Sequence, residues 1–131
     1  MDGIATRLFR FTPDAAPDRV WAALTTVPYL FGLAPSSAWR PGAAIAFAAE
    51  GAPLSGEVLA AQEPHRLSYS LRAGDGQPDT YVTWEIVVDG AGSVVLLFVD
   101  EPGEAEVEPA WLEVIARLES VLAGKGATER L

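Results

Sequence analysis

Apolar and polar residues alternate with a period of two in IATRLFRF, residues 4–11, which is typical of a half-buried strand. The spacing becomes helical in PDRVWAALTT, residues 17–26, where Pro17 suits a first helical turn and Pro28 stops the helix. The chain therefore predicts a strand followed by a short helix. YLFGL, residues 29–33, is expected to add another turn or two of helix before the loop APSSAWRPG.

From residue 44 the apolar runs become short and are separated by turn residues. AIAFAAE, EVLAAQ and RLSYSLR predict three strands in meander order, and the longer runs TYVTWEIVV and SVVLLFVD flank DGAG, a strong hairpin signal. Pro109 then opens a long amphipathic helix that ends near Gly124. The apolar stripe of this helix comprises Trp111, Val114, Ile115, Leu118, Val121 and Leu122.

The order of these elements predicts one α+β domain over residues 1–124. A six-stranded curved antiparallel sheet must cover its inner face, and only the C-terminal helix is long enough to lie across it. Two short helices are expected between the first and second strands. Residues 125–131 are expected to form a flexible tail.

Composition limits the functions that such a domain can have. The chain has 131 residues, half of them hydrophobic, which suits a single domain with a real core. A formal charge of −9 argues against a nucleic-acid partner, because such binding depends on clustered Lys and Arg. No window reaches the ~18 apolar residues of a membrane span and the start is unlike a leader, so we expect a cytoplasmic protein without membrane insertion. Without cysteine there is no disulfide or thiolate site, and neither a metal nor a cofactor is expected.

Four stretches, in this order, carry a resemblance to known proteins: PDRVWAALT, WRPGAA, GEVLAAQEPHRLSYS and TYVTWEIVVDGAGSVVLLF. With them the chain resembles the START-like (SRPBCC) superfamily of polyketide cyclases and lipid-transport proteins, and within it the branch named after the activator of heat-shock protein 90 ATPase. The resemblance runs from about Ile4 to Gly124 and implies a helix-grip fold, in which the curved sheet wraps around the terminal helix. None of the four stretches is a catalytic signature, so they are specific for fold and weak for activity.

Two positions depart from the pattern of that family. Ala43 follows Gly42 where a second glycine is common, and Val99 stands where a polar residue, often histidine, is common. The second departure makes the inner surface of the sheet more apolar and weakens a catalytic interpretation.

A ligand cavity is expected because one helix cannot fill the whole concave face of such a sheet, which leaves a space of the ~300–1,000 Å³ class. Alternation along the last three strands, together with the terminal helix and the loop before the second strand, predicts which residues line it. The predicted lining comprises Trp39, Leu67, Tyr69, Leu71, Val82, Trp84, Ile86, Val88, Val95, Leu97, Val99, Trp111 and Ile115.

Tyr69 is the one residue of this set with both an apolar body and a hydroxyl that needs a partner, so it is the candidate to orient the polar end of a ligand. Trp84 and Trp111 would hold the rest of the molecule, and Trp39 would border the entrance. The alternative is that all four aromatic residues simply fill the core.

His65 is the only histidine of the chain, between Pro64 and Arg66. We interpret it as a solvent-facing turn residue, because no Asp, Glu or Ser is placed by the sequence to work with it as a base. A catalytic role at a pocket mouth is the alternative.

DEPGEAEVE contains five carboxylates, at Asp100, Glu101, Glu104, Glu106 and Glu108, but lacks the ligand spacing and turn glycine of a calcium loop. A solvated acidic connector is therefore expected rather than a metal site.

Leu96 and Phe98 are expected to face outward on the last strand, if Val95 and Leu97 face the helix. Such an apolar stripe is unusual on a monomer. It predicts either a homodimer surface or a covered part of the sheet.

The residues together favour a module that binds a small, mostly apolar molecule between helix and sheet. A cyclase- or hydrolase-type enzyme acting on a small hydrophobic substrate is the second hypothesis, and two or more coupled ionisable groups inside the cavity would favour it. A co-chaperone or regulatory partner role is the third, and it rests on the resemblance alone.

Overall fold

The computed structural model describes residues 4–29, 33–48, 54–72, 79–102, 108–122 and 129–130. Its elements follow in the order β1 (Ile4–Phe11), α1 (Pro17–Thr26), β2 (Ala34–Ser37), β3 (Ala44–Ala48), β4 (Leu54–Gln62), β5 (Arg66–Leu71), β6 (Thr80–Asp89), β7 (Gly92–Pro102), α2 (Glu108–Leu122) and β8 (Glu129–Arg130).

All strands form one antiparallel sheet in the order β2-β3-β4-β5-β6-β7-β1-β8. The segment from β3 to β7 is a meander, since each strand pairs with the next one along the chain. The N-terminal strand is the exception, because β1 pairs with β7, and its register places Ile4 opposite Pro102 and Phe11 opposite Val95. The first strand described therefore lies beside the last strand of the meander.

The core lies on one face of this sheet. Val95, Leu97 and Val99 are buried while the residues between them are only partly covered, as the period of two requires. The sheet meets the buried stripe of α2 and the buried face of α1 in one continuous apolar cluster. From α2 this cluster takes Trp111, Val114, Ile115, Leu118 and Leu122.

The predicted α+β architecture, with a single antiparallel sheet and a C-terminal helix, is confirmed. The bounds predicted for β1 and α1 match those of the structure, and the hairpin of β6 and β7 turns at the expected DGAG segment.

The predicted number of strands and helices was wrong. The sheet has eight strands rather than six, because APSS pairs with β3 as β2 and Glu129–Arg130 pair with β1 as β8. The Pro- and Ser-rich composition of β2 favours a loop, but pairing with β3 makes it a strand. In the predicted second helix, Tyr29 is not helical and Leu33 forms a β-bridge, while residues 30–32 lie outside the described residues. Residues 125–128 and 131 of the predicted tail also lie outside the described residues. The flexibility of the tail stays a prediction.

Two residues assigned to the interior are exposed. Val88 keeps 60% of its surface because it lies beside the turn of the β6–β7 hairpin, where Val87 is exposed as well. Val121 keeps 49% because, at 100° per residue, it falls at the margin of the α2 stripe rather than within it. Among the helices that the structure describes, none is long and apolar enough to cross a membrane.

Candidate functional site

Three buried side chains form a hydrogen-bonded group on the inner face. The indole Nε1 of Trp84 donates to the hydroxyl of Tyr69 at 3.0 Å, and the hydroxyls of Tyr69 and Tyr29 lie 3.0 Å apart. All three residues are fully buried. We call them the phenol–indole trio.

Two members of the trio are fixed by the sheet and one is not. Tyr69 on β5 and Trp84 on β6 are diagonal neighbours, because Tyr69 lies opposite Val82. Tyr29 comes from the connection after α1, where its backbone N–H donates to the carbonyl of Val27 at 2.8 Å. The position of the Tyr29 hydroxyl therefore depends on how this connection packs.

A count of protons shows that the trio has one donor to spare. Its donors are one indole N–H and two phenolic O–H groups. The two internal hydrogen bonds use two of these three protons, whichever phenol donates to the other. Within the described part of the chain, the remaining O–H has no acceptor.

The surroundings of the trio are aromatic and apolar. Tyr29 packs edge to face against Phe47 and against Trp84, with ring centroids 5.8 Å apart in both pairs, and Phe47 lies 5.7 Å from the ring of Tyr69. Burial raises the pKa of Tyr69 to about 12, opposed by its hydrogen bonds. Burial, with the neighbouring Tyr69, also raises the pKa of Tyr29 well above its ordinary value. Both phenols therefore stay neutral near pH 7 and act as hydrogen-bond donors rather than bases.

A second polar group lies farther along the inner face. Glu101 on β7 is 7% exposed, and its Oε1 accepts a hydrogen bond of 2.6 Å from the indole Nε1 of Trp111, in the first turn of α2. Burial raises the pKa of Glu101, while the bond to Trp111 and the charge of Arg7 lower it. Arg7 shares this face, because it lies opposite the inward-facing Val99.

The structure places the predicted lining residues as follows. All are buried except Val88, which is exposed, and Trp39, which is partly buried and packs against the core. Tyr69 and Trp84 come together in the trio, whereas Trp111 bonds to Glu101. Burial alone fits both a ligand site and a filled core, so the assignment of these side chains to a ligand stays a prediction.

The interpretation of the acidic segment as a solvated connector was wrong for its first two members. Asp100 and Glu101 belong to β7, where Asp100 accepts a hydrogen bond of 2.8 Å from Thr6 Oγ1 and Glu101 is buried. Glu104 and Glu106 lie outside the described residues, and Glu108 begins α2. In the described ranges, no cluster of three or more acidic or histidine residues could hold a metal ion.

His65 lies in the turn between β4 and β5 and is exposed, as expected. Its Nδ1 is 3.1 Å from the carbonyl oxygen of Ile86, and its backbone N–H donates to the carbonyl of Gln62 at 2.7 Å. These contacts give it a role in fixing the turn.

Leu96 and Phe98 face away from the core, on an interior strand rather than an edge. Leu96 lies opposite Arg10 and Glu85, and both apolar residues are partly buried. A dimer through this face stays a proposal.

The sequence analysis missed Tyr29, Arg7 and Glu101. Extending the alternation of β7 by one step beyond Val99 would have placed Glu101 on the inner face, and Arg7 has the same parity as Phe9 and Phe11. Tyr29 had no such signal, because it lies in an irregular connection.

The comparisons with known proteins agree with this architecture. Residues 14–123 match the model of the family described as activator of Hsp90 ATPase homolog 1-like protein. No curated protein matches the chain.

Three similar solved structures illustrate the fold. CalU16 from Micromonospora echinospora is 25% identical, with 94% of this chain and 87% of CalU16 covered and a TM-score of 0.69. DynU16, a protein from the dynemicin biosynthetic locus, is 20% identical at a TM-score of 0.78, covering 90% of this chain and 47% of DynU16. The Aha1 dimer from Colwellia psychrerythraea is 16% identical at a TM-score of 0.71, covering 90% of this chain and 96% of Aha1.

Proposed function

The chain belongs to the activator of Hsp90 ATPase homolog 1-like family, and on that premise we propose that it binds a small, mostly apolar molecule between α2 and the inner face of the sheet. The observation that carries the proposal is the unused O–H of the phenol–indole trio. A buried donor without an acceptor costs ~1–3 kcal/mol. A ligand with a carbonyl, ether or hydroxyl oxygen would recover that free energy.

The surroundings of the trio suit such a ligand. Binding sites for small molecules are mostly apolar, with a few polar groups that fix orientation. Here the rings of Phe47, Tyr29 and Trp84 supply apolar surface around the hydroxyls, so the spare proton would select the end of the molecule that carries an acceptor.

An incoming ligand must displace part of the packing, because the trio is closed from solvent. Tyr29 is the member best able to move. It is held by a connection rather than by the sheet, and its departure leaves the bond between Trp84 and Tyr69 intact. The O–H of Tyr69 is then the spare donor, and the ligand oxygen accepts it in the place of the Tyr29 hydroxyl.

A cyclase- or hydrolase-type activity is the second candidate, because Tyr29 and Tyr69 are two ionisable groups in direct contact. Because their pKa values are raised, both phenols are neutral near pH 7 and could donate hydrogen bonds to an oxygen that gains negative charge. Turnover of an ester or ketone by the wild type, lost in Tyr69→Phe, would establish this activity.

Native mass spectrometry of freshly purified protein, followed by titration of intrinsic tryptophan fluorescence with acetylnaphthalene, tests the binding function. We expect a saturable change, because Trp84 is a member of the trio. Tyr69→Phe should weaken binding by ~0.5–1.5 kcal/mol, the net worth of one hydrogen bond. Tyr81→Phe is the matched control, since Tyr81 is exposed. No saturable binding of any apolar ketone or lipid-like compound, with no retained molecule in the mass spectrum, would refute the proposal.

A further inference from the structure

We propose that Glu101 is a second polar contact for the same ligand and accepts a hydrogen bond from a donor group at the end remote from the trio. The inference rests on the proposed binding function. It assigns a hydroxyl or amino group to one end of the ligand and an acceptor oxygen to the other.

The carboxylate of Glu101 has acceptor capacity that the fold does not use. Its Oε1 is bonded to Trp111, whereas in the described part of the chain its second oxygen has no hydrogen-bond partner. An ionised carboxylate can accept bonds at both oxygens, so the second oxygen, which is not sealed from solvent, remains available to a donor.

Anchoring α2 does not explain a carboxylate at this position. The indole N–H of Trp111 needs one acceptor, and a neutral amide oxygen would serve. Burial of Glu101 works against its ionised form, and the charge of Arg7 only partly offsets it. A mostly buried carboxylate whose charge Arg7 only partly compensates, and whose second oxygen has no hydrogen-bond partner among the described residues, can therefore accept one further donor from a ligand.

Glu101 and the trio lie on the same face and at a distance that one small molecule can span. Tyr69 lies opposite Val82, and Val82 lies opposite Val99, two residues before Glu101 on β7. Two strand spacings and two residues along a strand place the Cα atoms of Tyr69 and Glu101 about 12 Å apart. The strand pairs that lead from Tyr69 towards Glu101 pass through Val82 and Val99, whose side chains are apolar.

The two unused groups are complementary to a particular chemical class. The trio offers a proton and Glu101 offers a lone pair, with apolar surface between. The ligand is therefore an elongated, mostly apolar molecule, such as a polycyclic aromatic compound, with a carbonyl or ether oxygen at one end and a hydroxyl or amine at the other.

Isothermal titration calorimetry with three probes tests this assignment. The probes are acetylnaphthalene, a hydroxy derivative with the hydroxyl at the far end of the ring system, and the methoxy analogue, which lacks only the donor. We expect the wild type to bind the hydroxy probe about tenfold more tightly than the methoxy probe, as for a hydrogen bond to a charged acceptor. Glu101→Gln should reduce this ratio to about one. Glu113→Gln, at an exposed carboxylate of α2, should keep it.

The outcomes separate the two proposals. Equal affinity of the wild type for the hydroxy and methoxy probes, or a ratio unchanged in Glu101→Gln, would overturn the role of Glu101 and leave the binding function standing. Failure of all three probes to bind the wild type would contradict both. Glu101→Asp serves as a second variant, since it keeps the charge and retracts the oxygen, and a lost preference there supports the assignment equally.

Discussion

The hydroxyl of Tyr69 lies 3.0 Å from the hydroxyl of Tyr29, forty positions earlier in the chain, in a mostly apolar interior. Tyr69 is the central member of the trio, since it also accepts the indole N–H of Trp84. The hydroxyl of Tyr69 therefore takes part in two hydrogen bonds of the trio, whereas the hydroxyl of Tyr29 takes part in one.

Removing the two hydroxyls one at a time should give unequal losses of stability. Tyr69→Phe leaves the N–H of Trp84 without an acceptor and should lower the free energy of unfolding by ~1–3 kcal/mol. Tyr29→Phe keeps the bond between Trp84 and Tyr69 and should cost ~1 kcal/mol or less. Urea unfolding of both variants measures the difference, with Tyr81→Phe as the exposed control. An equal loss in the two variants would show that Tyr69 is not the central member.

Alkaline pH should destabilise the protein through the two buried phenols. Burial raises the pKa of Tyr69 to about 12 and raises that of Tyr29 as well, so the folded state holds more protons than the unfolded state above pH about 10. Their contribution is fully present below that pH and is lost as pH rises towards 12, by roughly 3 kcal/mol for Tyr69. Phenolate absorbance and circular dichroism, followed together, should show these two residues ionising only as the protein unfolds. Ionisation of all three tyrosines in the folded state would contradict the trio.

Substitutions at Glu101 should separate its charge from its hydrogen bond. Because burial raises the pKa of this carboxyl, the ionised form opposes folding, and stability should rise as pH falls through the folded-state pKa. Glu101→Gln removes the charge but keeps an acceptor for Trp111, so its melting temperature at neutral pH should equal or exceed that of the wild type. Glu101→Ala removes the acceptor of the Trp111 indole N–H and should cost ~1–3 kcal/mol. A Gln variant less stable than the Ala variant would contradict this account.

Gly56 should be irreplaceable for a steric reason. A Cβ at this position on β4 would overlap the backbone carbonyl oxygen of Ser70 on β5, so the two strands would have to separate. We expect Gly56→Ala to cost ~3 kcal/mol or more. Gly42→Ala is the comparison, because a Cβ there meets nothing within 4 Å and only the positive φ of 87° is strained, at ~1 kcal/mol. Similar unfolding midpoints for the two variants would refute the close approach of β4 and β5.

Substitution of Leu118 tests whether α2 packs on the core. It is fully buried on the stripe, so Leu118→Ala should cost ~2–5 kcal/mol through lost packing and a residual cavity. Val121→Ala is the control, because it removes a smaller side chain that is half exposed. It should change the melting temperature little. An unchanged melting temperature in Leu118→Ala would mean that this helix does not contribute to the core.

Alternation and helical spacing were enough to predict most of the elements. IATRLFRF and PDRVWAALTT specified β1 and α1 because their local pattern agrees with the face that each buries. Local pattern failed at β2, because APSS has no intrinsic preference for a strand and becomes one only beside β3. It failed again at Val88, whose parity is correct but whose place beside a turn leaves it uncovered.

The polar part of the site was only half predictable. Tyr69 and Trp84 followed from alternation, and Glu101 would have followed had it been assigned to the strand rather than to the acidic residues after it. Tyr29 depends on the path of the connection after α1, which is decided by tertiary packing and leaves no periodic signal.

The pairing of β1 with β7 also has a consequence for how the polypeptide acquires its structure during synthesis. The first strand made, Ile4–Phe11, finds its partner only when residues 95–102 have left the ribosome, whereas the meander from β3 to β7 needs only neighbours. Closing so long a loop is slow compared with forming hairpins. The nascent chain therefore carries β1 without its partner until β7 has been made, and an unpaired strand of this kind is prone to aggregate.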